Sequence, residues 1–160
     1  MSKKAKKTED KNEKSIAENR KARHDYEILD HLECGIVLTG SEVKSLRDGK
    51  LSLQEAYARI AGGEVYLVNA EIQAYRNASD FLNHEPKRLR KLLLHKSEIA
   101  KFATKADDRG MSLVPLKMYF KRGKAKVLLG IGKGRKSHDK REKLKSDTAK
   151  REIQRVMRHG

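Results

Sequence analysis

The sequence predicts an α+β fold: an OB-like β-barrel with about three flanking helices and a disordered basic C-terminal tail. Three observations predict it. Short runs of alternating apolar residues mark half-buried strands, most plainly Leu116, Met118 and Phe120 against Lys117, Tyr119 and Lys121. Glycine-centred turns and stretches of helical apolar spacing separate these runs. The last forty residues, Lys121 to Gly160, carry 15 Lys/Arg against 4 Asp/Glu in a chain of net charge +16, with few apolar residues of any size. Such a segment cannot bury enough surface to offset the entropy of ordering itself.

In chain order, residues 1–18 read as a disordered basic arm, because Ile16 is their only large apolar side chain. Asn19 to His24 lead into structure, and Tyr26–Leu29 and Gly35–Leu38 are short strand-like runs. Ser41 can cap a helix that turns Val43 and Leu46 inward, with Glu42 in its first turn and Gly49 past its end. Gly62-Gly63 can turn a hairpin between Ala56–Ile60 and Glu64–Val68, while Ser52-x-x-Glu55 could instead open a short helix. A strand is expected at Glu71–Tyr75. Pro86 suits a helix start with Leu89, Leu92 and Leu93 on one side. Ser97 caps a helix whose Ile99, Phe102, Ala103 and Ala106 share a face, and Gly110 ends it. The final hairpin turns at Arg122-Gly123-Lys124 and returns through Val127, Leu129 and Ile131. The expected organisation is an arm (1–18), an OB-like RNA-binding body (19–132) and a basic tail (133–160) that is disordered when free and partly helical on its partner.

A length of 160 residues with 37% hydrophobic content suits one small domain with charged extensions. No apolar run reaches 18 residues, and Met1 to Lys14 lacks the apolar stretch of a secretory signal. The tail has no Trp or Phe and no continuous apolar face beyond its hairpin, so no membrane partner is expected. One cysteine, Cys34, rules out an internal disulfide and suits a reducing, cytoplasmic compartment. The density of positive charge selects a polyanion, in a chain of this type RNA.

Chemistry is sparse. The histidines at 24, 31, 84, 95, 138 and 159 include no H-x-x-x-H or H-E-x-x-H pair, so no metal, no cofactor and no enzymatic activity are expected. Gly130, Gly132 and Gly134 follow a strand, but the loop lacks the G-x-x-x-x-G-K-[ST] pattern and leads into a Lys-rich tail. A nuclease using His24 or His95 as base is the enzymatic alternative, and no paired acid–base constellation supports it. Asp139 and Glu142 flank Lys140-Arg141 and read as local salt links.

Five collinear segments carry a family resemblance. Asn19–Tyr26 (NRKARHDY), Gly35–Arg47 (GIVLTGSEVKSLR), Arg90–His95 (RKLLLH), Val114–Phe120 (VPLKMYF) and Gly132–Arg141 (GKGRKSHDKR) together resemble the small protein B, or SsrA-binding protein, family of bacterial trans-translation, in order from about residue 19 to 155. The resemblance implies an OB-like barrel with flanking helices and a non-enzymatic partner of transfer-messenger RNA (tmRNA). It implies binding to the tRNA-like domain, contact with elongation factor Tu only through tmRNA, and a tail placed in the ribosomal decoding centre and mRNA channel. A monomer is expected. Family positions implicated in tmRNA binding fall on Glu33, Leu93 and His95. Relatives commonly carry Asn where His95 stands; both side chains donate and accept hydrogen bonds, and imidazole adds a titratable group. Arg20, Arg23, His24, Tyr26, Lys44, Arg47, Arg90 and Lys91 complete the expected tmRNA-binding set, the arginines and lysines as phosphate contacts and the aromatic rings as stacking or hydrogen-bonding surfaces. In the tail, Gly134, Arg135, Lys136, His138, Asp139, Lys140, Arg141 and Ile153 are the expected ribosome-binding residues.

Each site keeps an alternative at this stage. Glu33 is either an RNA contact or a solvated strand-end carboxylate, and Leu93 is either an exposed contact or core. Tyr26, Tyr119 and Phe120 either stack on bases or fill a core. Composition alone also fits a small ribosomal protein, a permanent rRNA-bound component.

Overall fold

The computed structural model describes residues 12–108, 110–135, 141 and 148–155. Among them the chain forms nine β-strands and three α-helices, with a further helical stretch at 148–155. Its frame is the hairpin of β8 (Met111–Lys121) and β9 (Lys124–Gly134), whose pairing runs from Met111↔Lys133 to Lys121↔Lys124. Arg122 (φ 52°) and Gly123 (φ 78°) form its two-residue turn, both in the left-handed region that matches the strand twist.

β9 pairs along β2 (Tyr26–Ile36), and the end of β2 pairs with β7 (Arg90–Leu93). β7 continues to β5 (Glu64–Val68), β5 to β4 (Tyr57–Ala61), and β4 returns to β8 through Ala58↔Leu113. Six antiparallel strands therefore close into a ring, which removes the exposed edges an open sheet would leave. β1 (Glu13–Glu18) adds to β8 outside that ring, and β3 (Leu51–Ser52) pairs with β6 (Glu71–Ile72) as a separate ribbon. Cys34, Leu67, Leu92, Met118, Val127 and Leu129 fill the interior, joined by Leu46 of α2 (Gly40–Arg47) and by Ile99 and Phe102 of α3 (Lys96–Ala106).

A second cluster lies under α1 (Arg20–Asp25), where Ala22, Val114 and Leu116 meet Tyr26, Ile28 and Leu128. Asn19 holds this helix down: its Nδ2 donates to the Leu53 and Pro115 carbonyls at 2.9 and 3.0 Å, and its Oδ1 accepts from the Ala22 amide at 3.1 Å. The glycines of β9 serve this packing. A Cβ at Gly132 would stand 2.8 Å from Tyr26 Cβ, so only glycine lets β2 lie so close.

Several expectations are corrected. Residues 13–18 are a strand, because main-chain pairing to β8 and a half-buried Ile16 order them without a long apolar run. The helix expected after Pro86 is absent; Arg90 and Leu92 point inward while Lys91 and Leu93 point outward, a period of two, and the segment is β7. The two short runs before and after Asp30 are one strand bent by an irregularity between Ile28 and Asp30. α2 and α3 begin one or more residues before the expected serines, capped by Thr39 and His95. Gln54-Glu55 form a turn rather than a helix, and the strand expected over Glu71–Tyr75 is limited to Glu71–Ile72. Among the described residues no helix is long and apolar enough to cross a membrane.

Candidate nucleic-acid interface

Strand register assembles the central site. Gly35 stands opposite Leu93, the Val37 amide donates to the Lys91 carbonyl at 3.0 Å, Lys126 opposes Gly35 and Tyr119 opposes Lys126. Because successive side chains alternate, Glu33, Gly35, Val37, Lys91, Leu93, Lys126 and Tyr119 share the barrel's outer face, while Cys34, Leu92, Val127 and Met118 point inside. The missing Cβ at Gly35 leaves Leu93 room to lie across the strand; an added one would sit 3.1 Å from Leu93 Cβ. Leu93 is 51% exposed and Val37 45%, so this face presents apolar surface to solvent. His95 caps α3 two residues past the end of β7, its amide donating to Glu98 Oε1 at 3.0 Å. The structure thus puts Glu33 and Leu93 on one face, with His95 two residues beyond Leu93 at the start of α3, and Leu93 is not core.

Glu33 Oε2 accepts a short hydrogen bond from the Tyr119 hydroxyl and faces Lys121 Nζ at 3.5 Å. Partial burial disfavours the carboxylate, but Tyr119, Lys121 and Lys126 outweigh it and hold Glu33 below the ordinary carboxylate range. The Tyr119 hydroxyl is pushed up by burial and by that carboxylate, so it stays a donor. Tyr119 is only 2% exposed and carries Lys117 Nζ 4.7 Å from its ring centroid, which rules it out as a stacking platform. Cys34, one residue along, is sealed in the core with its thiol pushed up to about 12 by burial.

Arg90 corrects an expectation outright. It is fully buried, not a phosphate contact: its Nε donates to Glu42 Oε2, and its Nη atoms donate to the Ala70 and Pro86 carbonyls at 2.7 and 3.1 Å. Arg88 Nη2 and the Thr39 amide close the other side of Glu42, at 2.6 and 2.9 Å. This sealed cluster ties α2 to the segment entering β7. Only the period-two pattern around Arg90 could have shown it. Lys91, the next residue, is half-buried and paired with Glu64 at 3.2 Å.

The remaining expected residues lie elsewhere. Arg20 and Arg23 are exposed on α1, His24 Nδ1 is 3.0 Å from Asp25 Oδ1, and Tyr26 is half-buried against β9. That region is separated from Glu33 by seven residues of β2, about 23 Å of strand. Lys44 and Arg47 are exposed on α2, Lys44 Nζ 5.6 Å from the Tyr75 ring and Arg47 beside a cleft of about 320 Å³ shared with Ile16 and Phe120. The tail leaves the body beside α1: Tyr26 pairs with Gly134, and the Arg135 amide donates to the Asp25 carbonyl at 2.8 Å. Lys136, His138, Asp139 and Lys140 lie outside the described residues. Arg141 is helical and exposed, and in the exposed helical stretch 148–155 Ile153 is 57% exposed.

Metal chemistry finds no platform among the described residues, where no group of three or more His, Cys, Asp or Glu could hold an ion. His84 is structural, its Nδ1 and Nε2 each 2.8 Å from Ser41 Oγ and the Ile72 carbonyl. What the outer face can do is accept a hydrogen bond at Glu33, offer apolar contact at Leu93 and Val37, and neutralise phosphate at Lys91, Lys121 and Lys126. Of these, Val37, Lys121 and Lys126 were not singled out from the sequence.

Comparison with known proteins shows the family of the chain. Residues 16–159 match the family model described as SmpB protein. The chain is 53% identical over 146 residues to the SsrA-binding protein of Trichormus variabilis, covering 91% of this chain and 94% of that one. It is likewise 53% identical over 150 residues to the SsrA-binding protein of Mesorhizobium japonicum, covering 93% of this chain and 94% of that one. A chain in the solved structure "tmRNA-SmpB: a journey to the center of the bacterial ribosome" superposes with a TM-score of 0.66 at 50% identity, covering 80% of this chain and 93% of that chain.

Proposed function

The chain belongs to the SmpB family, and from that premise we propose that it is a tmRNA-binding protein of trans-translation. Its body binds the tRNA-like domain of tmRNA and helps bring it to stalled ribosomes. Its basic tail then occupies the vacant decoding centre and mRNA channel, so that rescue and peptide tagging can proceed. The observation that carries this reading is the outer face that Glu33 and Leu93 share beside the partly exposed Lys91, Lys121 and Lys126.

Each component has a physical part. Lys91, Lys121 and Lys126 neutralise phosphates and fix position without reading sequence. Leu93 and Val37 supply apolar contact for an unstacked base or a ribose, the kind of target single-stranded RNA loops present. Glu33, being ionised, repels phosphate and accepts hydrogen bonds, so it selects orientation rather than adding bulk affinity. The protein performs no reaction of its own, works in the cytoplasm as a monomer, and meets elongation factor Tu through tmRNA. The tail becomes partly helical on the ribosome.

Crosslinking in cells followed by RNA sequencing tests the reading. The expected result is tmRNA as the principal crosslinked RNA, with the protein substoichiometric to ribosomes. Stoichiometric recovery with one ribosomal subunit, without tmRNA, would instead make it a permanent ribosomal component.

A further inference from the structure

The bonds to Glu33 are asymmetric. Tyr119 and Lys121 both engage Oε2, whereas Oε1 has no hydrogen-bond partner among the described residues. The carboxyl group is about one-third exposed, on the same face as Leu93. Tyr119 is buried and its ring is flanked by Lys117, which is itself tied to Glu13 of β1 at 3.0 Å. The hydroxyl therefore comes from a rigid three-strand platform of β1, β8 and β9, while the carboxylate it grips belongs to β2.

We propose that Tyr119 is the positioning residue of the RNA-binding face: it holds Glu33 by one oxygen and leaves the other aimed past Leu93 as the acceptor that reads an RNA donor. The inference rests on the proposed tmRNA reading. An acceptor with no proton to give selects an N–H or O–H, either the amino or imino edge of an unstacked base or a ribose 2′-hydroxyl. Without Tyr119, Glu33 would swing among rotamers toward Lys121 and Lys126, and ordering it would oppose RNA binding. Lys121, more exposed and at the longer distance, supplies charge more than direction.

A double-mutant cycle tests this, reading affinity of the full-length protein for the isolated tRNA-like domain of tmRNA below the melting temperature of every variant. Tyr119→Phe removes only the hydroxyl. It should weaken binding about tenfold, the scale of one charge-assisted hydrogen bond. In a Glu33→Ala background the same substitution should change binding less than about twofold, because the residue it acts through is gone. Equal losses in both backgrounds would overturn the proposal and make Tyr119 a general support of the barrel. So would unchanged affinity in Tyr119→Phe with a clear loss in Glu33→Ala. If the wild-type protein does not bind the tRNA-like domain, the functional reading itself fails, an outcome distinct from either of these. Binding to RNA carrying 2′-deoxy substitutions separates the two donors: insensitivity to Glu33→Ala at one substituted nucleotide assigns the 2′-hydroxyl, and retained sensitivity throughout assigns a base edge.

Discussion

The outer face around Glu33 and the helical stretch at 148–155 both carry charge at the surface, yet they are built on opposite terms. On the face, every side chain has its place set by a ladder partner: Leu93 by Gly35, Lys126 by Tyr119, Glu33 by the hydroxyl of Tyr119. In the tail stretch every side chain is exposed, Ile153 included. Where a frame fixes position, three or four residues can discriminate among RNA shapes. Where none does, charge density and helical propensity must carry the interaction, and the partner supplies the order. The two regions leave the barrel at opposite ends of β2, so one protein can hold one RNA with its body and present its tail to another.

The largest effect should come from breaking the frame. Arg90→Ala leaves the buried Glu42 carboxylate with Arg88 and the Thr39 amide on one oxygen and nothing from Arg90 on the other, and should cost about 3–5 kcal/mol of folding stability in urea titration. RNA affinity should survive only below the lowered melting temperature. Burial disfavours the Glu42 carboxylate, yet Arg88, the Thr39 amide and Arg90 keep its pKa below the ordinary 4.5. Its contribution is therefore complete above that pH and disappears as pH falls through the folded-state value. The expected stability curve of the wild type falls on that acid side, and that of Glu42→Gln falls less.

Next in size is a change confined to the tail. Ile153→Pro keeps the net charge but interrupts a helix interior, at a cost of about 3 kcal/mol. It should leave binding to tmRNA intact and reduce peptide tagging severely. Full tagging would reduce the tail to a flexible polycation and erase half of the contrast.

Leu93→Ala sharpens the other half. A half-exposed leucine should cost about 1 kcal/mol or less in melting experiments, below the 2–5 kcal/mol of a buried one, while tmRNA affinity falls about tenfold. A large melting loss with affinity restored on cooling would return Leu93 to the core. The smallest effect belongs to Lys91→Ala. Its solvent-accessible pair with Glu64 at the surface contributes about 0.5 kcal/mol, and the expected change is a shallower salt dependence of binding by about one unit of slope.

Much of this frame was legible in the sequence where local chemistry and global fold agree. Gly62-Gly63 and Arg122-Gly123 turn two-residue hairpins because those φ values are positive, and the alternation survives in β8 from Lys117 to Lys121, while an irregularity between Pro115 and Lys117 sends Leu116 to the cluster under α1 instead of the interior that holds Met118. The misread segments are those where tertiary structure overrides local preference. Leu89, Leu92 and Leu93 match a helical stripe, but closing the barrel needs a strand there, and Arg90 finds in Glu42 a partner 48 positions away. β1 escaped notice because main-chain bonds to β8 leave no compositional trace. At the site, the family resemblance picked out Glu33, Leu93 and His95. What aims Glu33 was hidden, since Tyr119 is 86 positions away and looked like a stacking ring.

The most direct test of the division between face and tail is a chain ended after Arg135, which keeps the bond from its amide to Asp25 and all of β9. Melting temperature, affinity for the tRNA-like domain and tagging of stalled peptides should be measured on the same preparation. The account predicts melting and affinity close to those of the full chain, with tagging lost. A folded truncation that no longer binds the tRNA-like domain would contradict it, placing the tail inside the RNA-recognition surface.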